Sequence, residues 1–258
     1  SNRPVNDNFA DGRTIHGDQA VLRVNLRSAT AEPGEPALVG QATPNTLWYR
    51  FTPAASGLTS VTALASETQI PMNGIPITFD YDVIPAVFGV YTGNSVNALT
   101  QVASGAENLS FTAVAGVTYH IAVAGLNGAE GLVMLEVIGA PANSTLANAT
   151  SLDLNTSSFG TNRNALSEPG EPAHAGQPAA ATVWYKWTAN FTSRVAFTTR
   201  GSDFDTLAAV YSGPSTNPTF ASLVPVGSND NAVGTINSTF SRVEFQAIAG
   251  TTYYFVID

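Results

Sequence analysis

Residues 32–49 read EPGEPALVGQATPNTLWY, and residues 168–185 read EPGEPAHAGQPAAATVWY. The two stretches align without gaps at an offset of 136, with eleven of eighteen positions identical. A repeat at a fixed period decides architecture before any single motif is read. The match continues outward, with Tyr91-Thr92-Gly93 against Tyr211-Ser212-Gly213 and SFTAVAGVTYHIAV (110–123) against EFQAIAGTTYYFVI (244–257). The offset changes between these blocks, so the copies differ by loop insertions. The largest is in copy 1, around SETQIPMNGIPIT (66–78).

Within each copy, runs of four to eight β-branched and aromatic residues alternate with Gly, Pro, Asn and Ser clusters, the pattern of short strands in a sandwich. The clearest are TLWYRFT, AVFGVY, LSFTAV, VTYHIAV and LVMLEVI in copy 1, and TVWYKWT, RVAFTT, LAAVY, RVEFQAI and TYYFVI in copy 2. AVAG (113–116) and AIAG (247–250) read as tight hairpin turns. No segment carries a long 3.6-residue apolar period, so little helix is expected. The fold class is all-β: two tandem, jelly-roll-like β-sandwich domains, residues 1–140 and 141–258. Copy 2 has no counterpart of LVMLEVI (132–138) within these residues, so its sandwich is expected to lack the final strand in this chain, either because the chain is cut there or because the strand comes from elsewhere.

Composition narrows the function. Ten Lys and Arg against nineteen Asp and Glu give a net charge of −9, the wrong sign for a surface that tracks phosphates. Nucleic acid is therefore not an expected partner. The one lysine, Lys186, supports no polybasic membrane patch, and no apolar run reaches eighteen residues, so membrane insertion is not expected. Cysteine is absent, which removes disulfides and thiolate chemistry. His16, His120 and His174 fall in no metal-ligand or protease spacing, and there is no nucleophile elbow or phosphate-cradling loop. The chain is not expected to be an enzyme.

The order of motifs, NDNF, EPGEPxxxGQ, a WY-containing strand, GSDFDT, VYSG, SND and then SRVEFQAIAGTTYY, resembles the bacterial pre-peptidase C-terminal domain. That family is similar in fold to the collagen-binding domains of clostridial collagenases. The resemblance implies an extracellular, non-catalytic β-sandwich attached to secreted or cell-surface proteins, often with calcium near its N-terminal segment. Copy 1 departs from the pattern at TFDYDVIPAVFGVYTG, where the family spacing is tighter.

Three sets of residues are candidates for a site. Glu32 with Glu35, and Glu168 with Glu171, place paired carboxylates in a Pro-braced loop, an arrangement compatible with Ca2+, which takes six to eight oxygens. The resemblance implies that Asn6 and Asp7 complete the set in copy 1; the aligned residues in copy 2 are Asn143 and Ser144, so tighter binding is expected in copy 1. A plain Pro-braced turn with solvated acids is the alternative. Asp203 and Asp205, with Asp230 in reach and Asp80 and Asp82 as counterparts, form a second acidic cluster, which either shares a cation or caps turns. In TLWYRF, alternation sets Leu47, Tyr49 and Phe51 on one face and Trp48 with Arg50 on the other. Trp48 and Trp184 are thus ligand-binding candidates that could stack on a sugar or proline, or else pack beneath a loop. The expected function is a calcium-stabilised binding or adhesion module of a secreted or surface protein, with carbohydrate, collagen-like peptide or a protein as partner. The alternative is a structural subunit of an extracellular fibre or surface layer, self-assembled by strand donation into copy 2.

Overall fold

The computed structural model describes residues 3–41, 44–64, 67–72, 75–80, 83–232 and 239–258, and for 67–72 and 75–80 it describes the strands alone. The chain is all-β and divides into two compact units, Ser1–Gly139 and Ala140–Asp258.

In unit 1 the strands are β1 (Arg13–Ile15), β2 (Gln19–Asn25), β3 (Thr46–Phe51), β4 (Gly57–Leu64), β5 (Glu67–Met72), β6 (Ile75–Asp80), β7 (Ala86–Thr92), β8 (Thr100–Ala106), β9 (Asn108–Ala113), β10 (Tyr119–Gly125) and β11 (Leu132–Ile138). One sheet has the order β1-β3-β10-β7-β8 and the other β2-β11-β4-β9, while β5 and β6 pair only with each other. The core lies between the two larger sheets. Leu47, Tyr49, Phe51, Phe88, Val90, Ile121 and Val123 meet Val24, Val61, Phe111, Val133, Leu135 and Val137 there. Strand alternation dictates this: every second residue of TLWYRF and LVMLEVI is apolar and turns inward.

Unit 2 contains β12 (Thr150–Ser151), β13 (Val183–Thr188), β14 (Ser193–Thr198), β15 (Ala208–Gly213), β16 (Val224–Asn229), β17 (Arg242–Ala247) and β18 (Thr252–Ile257). Its first sheet, β12-β13-β18-β15-β16, repeats the order of unit 1 strand for strand. Its second is only the pair β14-β17. Among the described residues this sheet has counterparts of β4 and β9 but of neither β11 nor β2. The second absence follows from the first, because in unit 1 the ladder of β2 is formed with β11.

One expectation is corrected. AVAG and AIAG are tight turns, with Gly116 at φ 75° and Gly250 at φ 83°, but they do not close hairpins. In each unit the strand before the turn lies in one sheet and the strand after it in the other. A local motif shows that the chain turns, whereas partner choice is set by which face each strand must bury.

Candidate functional site

The EPGEP loops sit over the outer face of the larger sheet. Pro33 and Gly34 occupy the central positions of a turn closed by Glu35 N–H donating to Glu32 O at 3.2 Å, with Gly34 at φ 94°. Pro followed by Gly at positive φ is the type II signature. Unit 2 repeats it, with 3.0 Å from Glu171 N to Glu168 O and Gly170 at φ 83°.

Each loop pins an N-terminal segment onto the Trp strand. Asn6 and Trp48 exchange two bonds: Asn6 Nδ2 donates to Trp48 O at 3.0 Å, and Trp48 N–H donates to Asn6 O at 2.9 Å. Asn143 and Trp184 do the same at 2.9 and 2.8 Å. The carboxylate of Glu32 accepts Phe9 N–H at 2.6 Å, and that of Glu168 accepts Leu146 N–H, also at 2.6 Å. Phe9 and Leu146 each open a one-turn 3-10 helix, so the acids satisfy amides that such a terminus leaves unpaired. Asp7 accepts Thr30 N–H at 2.7 Å and Thr30 Oγ1 at 2.6 Å, and also pairs with Arg3.

The second glutamate of each loop reaches inward. Glu35 Oε1 accepts Trp48 Nε1–H at 2.8 Å and the Thr46 hydroxyl, while Glu35 Oε2 and Tyr91 Oη are buried without partners. Burial pushes the Glu35 carboxyl above its usual range, and burial followed by the charge of Glu35 pushes the Tyr91 phenol up to about 12. In unit 2 His174 stands where unit 1 has Leu38, and it bridges this gap. One ring nitrogen lies 2.8 Å from Tyr211 Oη and the other 3.2 Å from Glu171 Oε1, while Glu171 Oε2 accepts Thr182 Oγ1 at 3.0 Å. With Glu171 turned to His174, Trp184 Nε1 is left buried and unpaired.

These contacts locate every predicted residue. The carboxylates of Asp7, Glu32, Glu35, Glu168 and Glu171 each accept at least one protein donor. A calcium ion at either loop would have to share these carboxylates with the donors that already hold them. Among the described residues no group of three or more His, Cys, Asp and Glu converges. Asp203 and Asp205 are exposed in a bend before β15 rather than in a strand, and Asp230 is exposed, its backbone carbonyl accepting Ser241 Oγ at 2.8 Å. Asp80 and Asp82 lie outside the residues whose side chains are described. The ligand-stacking role of Trp48 and Trp184 is corrected: both are 0% exposed. The alternation is as expected, but the outer face is itself a core. Trp48 packs with Phe9, Leu38, Val87 and Tyr91, and Trp184 with Leu146, Ala209, Tyr211 and Tyr254.

A different concavity is open. In unit 2 a groove of about 700 Å³ runs between residues 152–162 and β14, floored by Tyr185, Trp187, Phe197, Phe245 and Phe255. Beside it, Leu154 is 43% and Phe159 100% exposed. Motif reading passed over these residues because none carries reactive chemistry. The one signal for them was the missing counterpart of LVMLEVI.

The fold defines a tandem β-sandwich protein. No protein-family model and no curated protein sequence matches the chain. Among solved structures it is matched to the crystal structure of the PBSX exported protein XepA, at 11% identity and a TM-score of 0.22, over 92% of this chain and 85% of that one. A score of that size carries no argument about fold or role. No helix among the described residues is long and apolar enough to cross a membrane.

Proposed function

We propose that the chain is a non-catalytic binding module of a secreted or cell-surface bacterial protein, of the pre-peptidase C-terminal kind. The observation that carries this reading is the repeated architecture: in both units the EPGEP loop and the tryptophan strand hold the same N-terminal segment over the same five-stranded sheet. The buried acids support the same reading, because their hydrogen bonds hold loops in place and leave them turned away from solvent.

Retention of the full chain on immobilised polymers tests the proposal. Saturable binding to an extracellular protein or polysaccharide, without turnover of it, is expected. Binding to none of a panel of such polymers, or turnover of any bound one, would overturn the reading.

A further inference from the structure

We infer that each unit carries a carboxylate-binding site on the outer face of its larger sheet, centred on Arg50 in unit 1 and on Lys186 in unit 2. Both sites take acidic side chains of a protein partner. This rests on the reading of the chain as a binding module and names the chemistry of what it binds.

The two cations occupy the same place in the repeat. Arg50 lies on β3 opposite Thr14 of β1 and His120 of β10, and His120 in turn faces Tyr91 of β7. Lys186 lies on β13 opposite Ser151 of β12 and Tyr254 of β18, and Tyr254 faces Tyr211 of β15. Residues paired across a ladder share a face. Tyr49 and Phe51, on either side of Arg50, turn into the core, as Tyr185 and Trp187 do beside Lys186. Both rows therefore project outward, each setting a hydroxyl, a cation and a ring side by side. The hydroxyl residues Thr14 and Ser151 are exposed, and the cations are half-buried.

Neither cation has a carboxylate. The chain holds nineteen Asp and Glu against ten Lys and Arg, and Arg3, Arg194 and Arg242 each pair with one of those acids. Among the described residues no acid pairs with Arg50 or Lys186. Arg50 Nε is buried without a hydrogen-bond partner, as is His120 Nδ1. A buried donor left unmatched costs stability, and a guest acceptor removes that cost. The neighbouring rings are held elsewhere: His120 bonds to the backbone of Gly93, and Tyr254 Oη donates to Pro214 O at 2.6 Å. Gly93 and Pro214 follow β7 and β15, so both rings are tied toward those strands and away from the cations.

A half-buried charge is screened less than a fully solvated one, which strengthens its contact with a carboxylate. The guanidinium fork of Arg50 can grip both carboxylate oxygens, whereas the ammonium of Lys186 acts as a point charge, so unit 1 is the tighter site. One cation per row matches one carboxylate on an otherwise uncharged segment. A polyuronate would bring a charge on every sugar toward a chain of net charge −9. Trp48 and Trp184, which could have stacked on its rings, are fully buried. Strands β1 and β12 lie at sheet edges, where unpaired main-chain groups can also bond a peptide backbone.

The test uses the full chain and the peptide GSDSG, acetylated and amidated so that its Asp supplies the one charge, with GSNSG as its uncharged twin. Amide spectra should show saturable shifts at Thr14, Arg50 and His120 and, at higher peptide concentration, at Ser151 and Lys186. Unit 1 should bind GSDSG at least about fivefold tighter than GSNSG. Arg50→Gln should abolish the shifts in unit 1 and spare those in unit 2, Lys186→Gln should do the reverse, and Arg50→Lys should bring unit 1 down to the affinity of unit 2. Unchanged spectra away from the substituted row show that a variant is folded, and the comparison of the two peptides on the unsubstituted chain needs no variant. Equal response to both peptides, response to neither, or a response that survives Arg50→Gln and Lys186→Gln would overturn the inference. Saturable binding of polygalacturonate at these residues, with none of GSDSG, would also overturn it by making the partner a polysaccharide. Retention on an immobilised polymer that is unchanged when both cations are replaced would defeat these two sites and leave the binding reading standing.

Discussion

Replacing Trp48 and Trp184 in turn by phenylalanine separates a hydrogen bond from a packing term within one molecule. Both indoles are 0% exposed, so Trp→Phe removes similar buried volume in each unit, costing about 2 kcal/mol by the usual large-to-small penalty. The polar terms have opposite signs. Trp48 Nε1 donates to Glu35, and losing a bond to a buried carboxylate costs about 1–3 kcal/mol more. Trp184 Nε1 is buried without a partner, so its removal returns the cost of an unpaired donor, again about 1–3 kcal/mol. Trp48→Phe should therefore destabilise unit 1 by about 3–5 kcal/mol, while Trp184→Phe leaves unit 2 near neutral. Amide exchange followed by mass spectrometry on the full chain reads opening free energies peptide by peptide and keeps the two units apart. Equal costs, or a larger cost in unit 2, would refute the description of the two loops as differently satisfied.

Three further outcomes follow from the same contacts. His174→Leu gives unit 2 the residue of unit 1 and strips partners from Tyr211 Oη and Glu171 Oε1, so that unit should lose about 2–4 kcal/mol in amide-exchange stability. Glu35 holds its proton more tightly folded than unfolded; the unfolded state sheds its proton first, and the stability of unit 1 should fall as pH rises from about 4.5 through the raised folded value. Glu35→Gln keeps an acceptor for Trp48 and removes the charge, so it should abolish that slope in a pH series of urea melts. Because protein donors engage the carboxylates of both loops, chelator and millimolar calcium should give the same melting temperatures, and a calcium-dependent rise in either transition would show that a loop opens to hold the ion.

Much of this arrangement was legible in the chain. TLWYRF and LVMLEVI announce both their strands and their inward faces, because alternation is a local property. Gly34 and Gly170 announce their turns for the same reason. Partner choice was not local: AVAG gave no sign that β9 and β10 part to different sheets. The tryptophans were on the predicted face, but nothing in TLWYRF told that Phe9 and Leu38, distant in sequence, would cover it. The carboxylates were found and their partners were not, since a Glu that caps Phe9 N–H reads like one awaiting a cation. The groove was legible only as an absence, and its lining came from packing.

Residue-resolved amide exchange at four positions of a chain of residues 1–258 tests the strand assignment of the repeat most directly. Ser60 and Thr62 of β4 face β11, whereas Ala196 and Thr198 of β14 face the opening. The account predicts strong protection at the first pair and near-absent protection at the second, while Thr199, bonded to Ser241, stays protected. Equal protection of Ala196, Thr198, Ser60 and Thr62 in the free chain would contradict it.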